Sequence, residues 1–270
     1  MKYSVVIPTY NMAQYLVTAL QSVAKAANGH ESELEVVVVD DASTDDTQQV
    51  LAACRRDAGF AMHVFQHPAN RGSSAAKNTG IGHAQGDYVL LLDADNTIDE
   101  TIFSHLNAQI ASKPETDIFI LGMGLIGADG ASTGIFYRDV VQVDVAANLL
   151  PRSIPLLHDN FMDNFSLVKR SVLLDNPFDE NFDYLEDWDL WIRMNWIRQA
   201  QFQFVPELLG GYRIMDDSKT RQLRKNDAKN KRQLIRLYSK MLLSSEPMGL
   251  SPQWVQQVTQ HVRQLCSSLI

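Results

Sequence analysis

Tyr88-Val89-Leu90-Leu91-Leu92-Asp93-Ala94-Asp95-Asn96 is the stretch that decides how this chain folds. Five apolar residues of strand length read as a central strand covered on both faces, and the carboxyl end of such a strand is where open α/β sheets place ligands. The run ends in two carboxylates separated by one residue. They repel each other unless something positive sits between them, and carboxylate oxygens suit a hard cation such as Mg²⁺ or Mn²⁺ that also holds a substrate phosphate. A solvated acidic turn would leave the same nine letters, so the neighbouring sequence has to choose.

Upstream, strand and helix patterns alternate. Residues 3–8 read as a strand, 13–27 as a helix, 34–39 as a strand, and 45–56 as a helix with Ser43 or Thr44 as N-cap. A strand at 62–66 and a helix at 73–83 lead into the strand at 87–92. This β-α-β-α-β-α-β order predicts a doubly wound, mostly parallel sheet with helices on both faces. A helix at 99–112 and a strand at 117–121 continue it, and further elements are expected at 186–198 (helix) and 202–205 (strand). From 218 onward two helices are expected, divided by Pro247 and Pro252.

Gly122-Met123-Gly124-Leu125-Ile126-Gly127 matches GxGxxG, with Asp144 20 residues beyond Gly124 at the end of Val140-Val141-Gln142-Val143. A dinucleotide site needs that motif to open a helix, whereas Ala128-Asp129-Gly130-Ala131-Ser132 is turn chemistry leading to a strand-like piece at 134–137. A glycine-rich hairpin is the better reading, and it sets a dehydrogenase aside. Residues 150–162 read as an irregular loop.

A chain of 270 residues that is 45% hydrophobic and 21% charged has the composition of a globular protein with a sizeable core. Two distant cysteines, Cys54 and Cys266, give no disulfide framework and point to a reducing cytosol. The opening residues lack a signal-peptide pattern, and no run approaches the ~20 apolar residues of a membrane span. A net charge of -8 argues against nucleic-acid binding, yet residues 219–240 carry nine bases against Asp227 alone. That segment reads either as a solvated helix face or as a peripheral contact with the inner face of an anionic membrane.

Three strands end in polar signals: Pro8-Thr9-Tyr10-Asn11, Asp40-Asp41-Ala42-Ser43-Thr44-Asp45 and Asp93-Ala94-Asp95. In a parallel sheet all three ends share one edge, at the switch point where doubly wound folds bind nucleotides. An acidic crevice holds phosphate only with a metal, a cationic side chain, or both, which brings Lys77 into consideration.

These segments, with Asn70-Arg71-Gly72-Ser73-Ser74-Ala75-Ala76-Lys77-Asn78-Thr79-Gly80, Glu186-Asp187-Trp188-Asp189 and Gly211-Tyr212-Arg213, resemble in their order the motifs of glycosyltransferase family 2, inverting enzymes of GT-A fold. The resemblance covers about residues 1–220. It implies a GT-A domain over 1–217, divided into a nucleotide-binding half (1–97) and an acceptor-binding half (98–217), with a helical extension over 218–270.

The resemblance also implies roles. Pro8, Thr9, Tyr10 and Asn11 would surround the nucleoside of a nucleotide diphosphate sugar, a UDP-sugar by preference, and Asp41 would accept from the nucleobase. Asp93, Ala94 and Asp95 would meet ribose and diphosphate, with Asp95 and Asp93 holding Mn²⁺ or Mg²⁺. Lys77 would face the diphosphate where relatives often carry arginine. Asp187 would be the general base, and Glu186 and Trp188 would border an acceptor hydroxyl on a glycan, a lipid-linked sugar or a protein, as in polysaccharide biosynthesis. One departure stands out: Met215 occupies the place of a family histidine, so Asp216 or Asp217 becomes the candidate substitute ligand. The alternative is a non-catalytic nucleotide-sugar or glycan-binding module of the same fold.

Overall fold

The computed structural model describes residues 1–136, 164–182, 184–215, 227–245 and 249–269. Asp144 and the 140–143 strand, the 150–162 loop, Asp216, Asp217, Pro247 and residues 219–226 of the basic segment lie outside them.

The first seven elements follow the predicted alternation: β1 (Tyr3–Thr9), α1 (Ala13–Ala26), β2 (Leu34–Asp40), α2 (Thr47–Asp57), β3 (Ala61–Gln66), α3 (Ser73–His83) and β4 (Tyr88–Leu91). Then come β5 (Thr97–Ile98), α4 (Ile102–Ser112), β6 (Ile118–Ile126), β7 (Ser132–Phe136), β8 (Ser166–Lys169), α5 (Arg170–Asp175) and α6 (Glu186–Ile192). A π-helical turn, Arg193–Ile197, extends α6, followed by β9 (Phe202–Arg213), α7 (Asp227–Leu243) and α8 (Pro252–Ser267).

Among the described residues one sheet of nine strands runs β3-β2-β1-β4-β8-β6-β9-β5, with β7 paired to β6. β1, β2, β3 and β4 are mutually parallel, and register sets Thr9 beside Asp40 and Asp40 beside Gln66. Beyond β4 the sheet is mixed, because β8 enters antiparallel between β4 and β6 and β5 pairs antiparallel with β9. The carboxyl ends of β1, β2 and β4 share one edge at the reversal of strand order, where α/β sheets open a crevice.

All seven residues of β2 are buried, as its unbroken Val36-Val37-Val38-Val39 run requires of a strand covered on both faces. Alternate residues serve different layers: Val5 and Ile7 join the core under α1 and α4, whereas Val6 joins the core shared by α6, α7 and α8. Each such side chain contributes about 1.5–3 kcal/mol on burial.

Two expectations change. α2 begins at Thr47, and neither Ser43 nor Thr44 caps it; Asp45 accepts the Thr47 amide instead. β9 is 12 residues long, well past the expected 205, because the Gly210-Gly211 backbone is needed to pair with β5 and β6. The GxGxxG stretch runs from the end of β6 into the turn at Gly127 and on to β7 antiparallel, with no helix following, as the hairpin reading expects.

Candidate functional site

The loops after β1 and β2 are bound into one unit. The Thr9 carbonyl accepts from the Asp41 amide at 2.9 Å, the Ser43 hydroxyl from the Asn11 amide at 2.9 Å, and Asn11 Oδ1 from the Thr44 amide at 2.8 Å. Asp45 crosses over to accept from the Ala13 amide at 3.0 Å, which caps α1. Burial would raise the Asp45 carboxyl, but the Thr47 hydroxyl and the Ala13 and Thr47 amides outweigh it and hold it below its usual range. Asn11 and Ala42 take positive φ values of 52° and 64°, left-handed conformations that cost ~1–3 kcal/mol each and concentrate where the surrounding structure imposes them. Tyr10 projects outward at 44% exposure, and the buried Thr9 hydroxyl has no hydrogen-bond partner among the described residues. The first loop thus presents an aromatic face and a buried, unpaired hydroxyl.

Asp41 is buried and already well occupied. Its Oδ1 accepts from the Arg71 amide (2.9 Å) and lies 2.6 Å from His67 Nδ1, while Oδ2 accepts from the Gly72 amide at 2.7 Å. His67 Nε2 in turn lies 2.9 Å from the Thr79 hydroxyl. Gly72 has φ 90°, which only glycine adopts readily, and this turns its N–H onto the carboxylate. Asp41 therefore organises the loop from His67 to Gly72, and only the second lone pair of Oδ2 is left for a base. His67 was missed in the sequence; its one signal was its place directly after β3, on the same sheet edge.

Asp93 and Asp95 follow β4 with Ala94 buried between them. Burial, then the neighbouring Asp93 carboxylate, push Asp95 up to about 7. Arg213 fixes this turn: Nε donates to the Asp95 carbonyl (2.8 Å), Nη1 to the carbonyls of Gly127 and Ala128 (2.8 and 3.0 Å), and its own amide to Asn96 Oδ1 (3.0 Å). The guanidinium also lies 5.1 Å from the Tyr15 ring centre. Two crowded carboxylates, one of them ready to lose its proton near neutrality, are the donor set a hard divalent ion fits. Among the described residues no three His, Cys, Asp or Glu gather, and Asp216 and Asp217 lie outside them. Met215 is buried at 8% exposure.

Lys77, expected to face a diphosphate, is engaged within the protein in this structure. It is 1% exposed, and its ammonium donates to Glu186 Oε1 at 3.0 Å from beneath the site. Burial would lower its pKa, but the charges of Glu186, Asp93 and Asp187 raise it well above the ordinary lysine value. One buried cation thus balances acids from both sides of the crevice. Glu186 is engaged with Lys77, and Trp188 is 4% exposed and edge-on to Tyr238.

Asp187, the second residue of α6, is part-exposed, with Oδ1 accepting from the Trp188 amide at 2.8 Å. Leu185 before it has φ 70°, the third strained non-glycine residue at this edge. The first turn carries Glu186, Asp187 and Asp189, where the helix dipole favours anions.

The poly(ribitol-phosphate) beta-N-acetylglucosaminyltransferase TarS of Staphylococcus aureus is 32% identical over 144 residues, 53% of this chain and 24% of its own. The chain thus spans about a quarter of that relative. The GalNAc(5)-diNAcBac-PP-undecaprenol beta-1,3-glucosyltransferase of Campylobacter jejuni is 28% identical over 226 residues, 83% of this chain and 69% of the relative. Residues 1–349 of TarS solved with UDP-GlcNAc superpose with a TM-score of 0.73 at 20% identity, covering 99% of this chain and 73% of that one. The mannosyltransferase PcManGT of Pyrobaculum calidifontis, solved with GDP-Man and Mn²⁺, gives 0.66 at 18%, covering 99% and 75%. These likenesses make the fold GT-A in type. The model of "Glycosyl transferase family 2" matches residues 4–173, more than half of the chain, which therefore belongs to that family.

Proposed function

We propose that this chain is an inverting glycosyltransferase that moves a sugar from a nucleotide diphosphate donor, a UDP-sugar by preference, to an acceptor hydroxyl. The observation that carries this reading is Lys77, a buried cation whose charge is felt by Asp93 on the donor side and by Glu186 and Asp187 on the opposite side. A donor and a base have to meet across such a crevice.

In this reading Thr9 and Tyr10 receive the nucleoside, Pro8 and Asn11 shape their turn, and Asp41 holds the loop that closes over the base. Asp95, with Asp93 beside it, would hold Mn²⁺ or Mg²⁺, whose chemistry is to neutralise the charge that builds on the leaving diphosphate. Asp187 takes the acceptor hydroxyl's proton as that oxygen attacks the anomeric carbon; the bond to the diphosphate breaks on the opposite face, and the configuration inverts. Lys77 and Glu186 position Asp187 from below. UDP, UDP-GlcNAc and GDP-Man complexes of the structural relatives support a nucleotide-sugar donor, and the Mn²⁺ complex supports a divalent ion.

A glycan or lipid-linked hydroxyl is the favoured acceptor class. No described helix is long and apolar enough to cross a membrane. In this reading a lipid-linked acceptor is met through residues 219–240 at the inner face. The domain reading is kept with it: 1–217 for transfer and 218–270 as an extension.

A thermal-shift titration with UDP and Mn²⁺ or Mg²⁺ tests the donor site, and Asp95→Ala is expected to remove most of the metal-dependent stabilisation. Asp187→Asn should keep that stabilisation and lose ~10²–10⁴-fold in turnover. Full turnover by Asp187→Asn would refute the base assignment. Stabilisation without transfer or donor hydrolysis would identify a binding module instead.

A further inference from the structure

The helix that carries Asp187 is held from two sides. From α3, Lys77 reaches Glu186, while Asn78 bonds the backbone of Phe178 through both its amide and its carbonyl. From α7, Lys240 places its ammonium 2.7 Å from Asp189 Oδ1 and 2.8 Å from Asp179 Oδ2. Asp189 is 2% exposed, so its carboxylate is costly to bury without cations. It has two, since Arg193 Nε lies 2.8 Å from Oδ2, and Arg193 is itself anchored to the Pro177 carbonyl. Asp187 and Asp189 are two residues apart on one helix and so face roughly opposite ways. A grip on Asp189 therefore sets the rotation of α6 without touching the crevice that Asp187 faces.

The same contact closes a second segment. Asp179 lies in the stretch before α6, and Asn181 and Lys240 donors more than offset its burial and bring its carboxyl down to about 2. Phe182, between the two acids in sequence, lies 5.6 Å from the Lys240 ammonium and 5.9 Å from the Arg236 guanidinium. Tyr238 packs edge-on to Trp188, next to the base.

We infer that Lys240, in the C-terminal extension and outside the matched family region, is a positioning residue for transfer, clamping residues 179–189 so that Asp187 meets the acceptor hydroxyl. This rests on the functional reading above. It also places part of the basic segment against this protein's own acids.

The test is steady-state kinetics of the full chain with donor varied, alongside thermal melts. Lys240→Gln is expected to lower kcat by ~10-fold or more with the donor KM within about twofold, because a displacement near 1 Å at a catalytic group can cost ~10²-fold. Lys240→Arg should recover most of kcat, since a guanidinium can bridge two carboxylates. The double variant Lys240→Gln/Asp189→Asn removes the buried acid together with the lysine that helps to neutralise it; it should fold and stay slow, which decides the matter even if the single variant does not fold. Wild-type kcat in either Gln-bearing variant, or a donor KM that rises as far as kcat falls, overturns the inference. An inactive wild-type chain overturns the functional reading and this inference with it.

Discussion

Replacing Lys77 by methionine keeps the apolar stem and removes the one charge that balances the floor of the crevice. At 3.0 Å from Glu186 and an effective dielectric of about 20, the lost attraction is about 5 kcal/mol before desolvation is counted. Removing one partner of a buried pair costs ~3–5 kcal/mol, so the two routes agree. For a chain of this length each kcal/mol moves Tm by ~2 °C, which predicts a loss of roughly 6–10 °C for Lys77→Met. Calorimetry or a dye-based melt reads it directly. The double variant Lys77→Met/Glu186→Gln should regain much of that stability, because the buried carboxylate is gone. It should not regain turnover, since Asp93 and Asp187 still share the crevice without their cation. A single variant that melts within about 2 °C of wild type, or that turns over normally, would refute the reasoning.

The remaining expectations concern pH and packing. Asp95 has its carboxyl raised to about 7 in the metal-free protein, so its contribution to stability is full below its ordinary value of 3.8 and is lost as pH rises towards 7. Asp179, lowered to about 2, acts oppositely: its contribution is present above 3.8 and lost as pH falls through 2. Melts of Asp95→Asn across pH 4 to 8 should lack the first trend, and Mn²⁺-dependent stabilisation of wild type by UDP should weaken below about pH 7 as the proton competes. In α3, Gly80→Ala would set a Cβ 2.5 Å from Val6 Cγ1 and should cost ~1–3 kcal/mol in urea unfolding. Gly82→Ala, with nothing within 4 Å, should instead stabilise the same helix by ~0.5–1 kcal/mol; equal effects would show that α3 does not press on β1.

Much of the architecture was legible because the signals are local. A strand covered on both faces shows as an unbroken apolar run, as in β2 and β4, and helix periodicity between such runs fixes a parallel order. The acids were legible at strand ends for the same reason. β9 was read short because Pro206-Glu207 and Gly210-Gly211 do not look like strand interior, yet pairing with β6 carries the strand through them. Ser43 and Thr44 looked like helix caps, since hydroxyls serve either purpose; only the neighbouring loop shows that they bind Asn11.

The sequence by itself determined that this is a doubly wound α/β chain with polar ends on β1, β2 and β4 and acids at the carboxyl ends of β2 and β4, because periodicity and strand-end chemistry are written in consecutive residues. What each charged group faces was decided only by the tertiary structure. Lys77 pairs with Glu186, 109 residues away; Asp41 turns inward to His67 and Gly72; and Lys240 reaches back to Asp179 and Asp189. A buried charge takes whichever opposite charge the packed elements bring to it, and partners so far apart in the chain leave no local pattern to read.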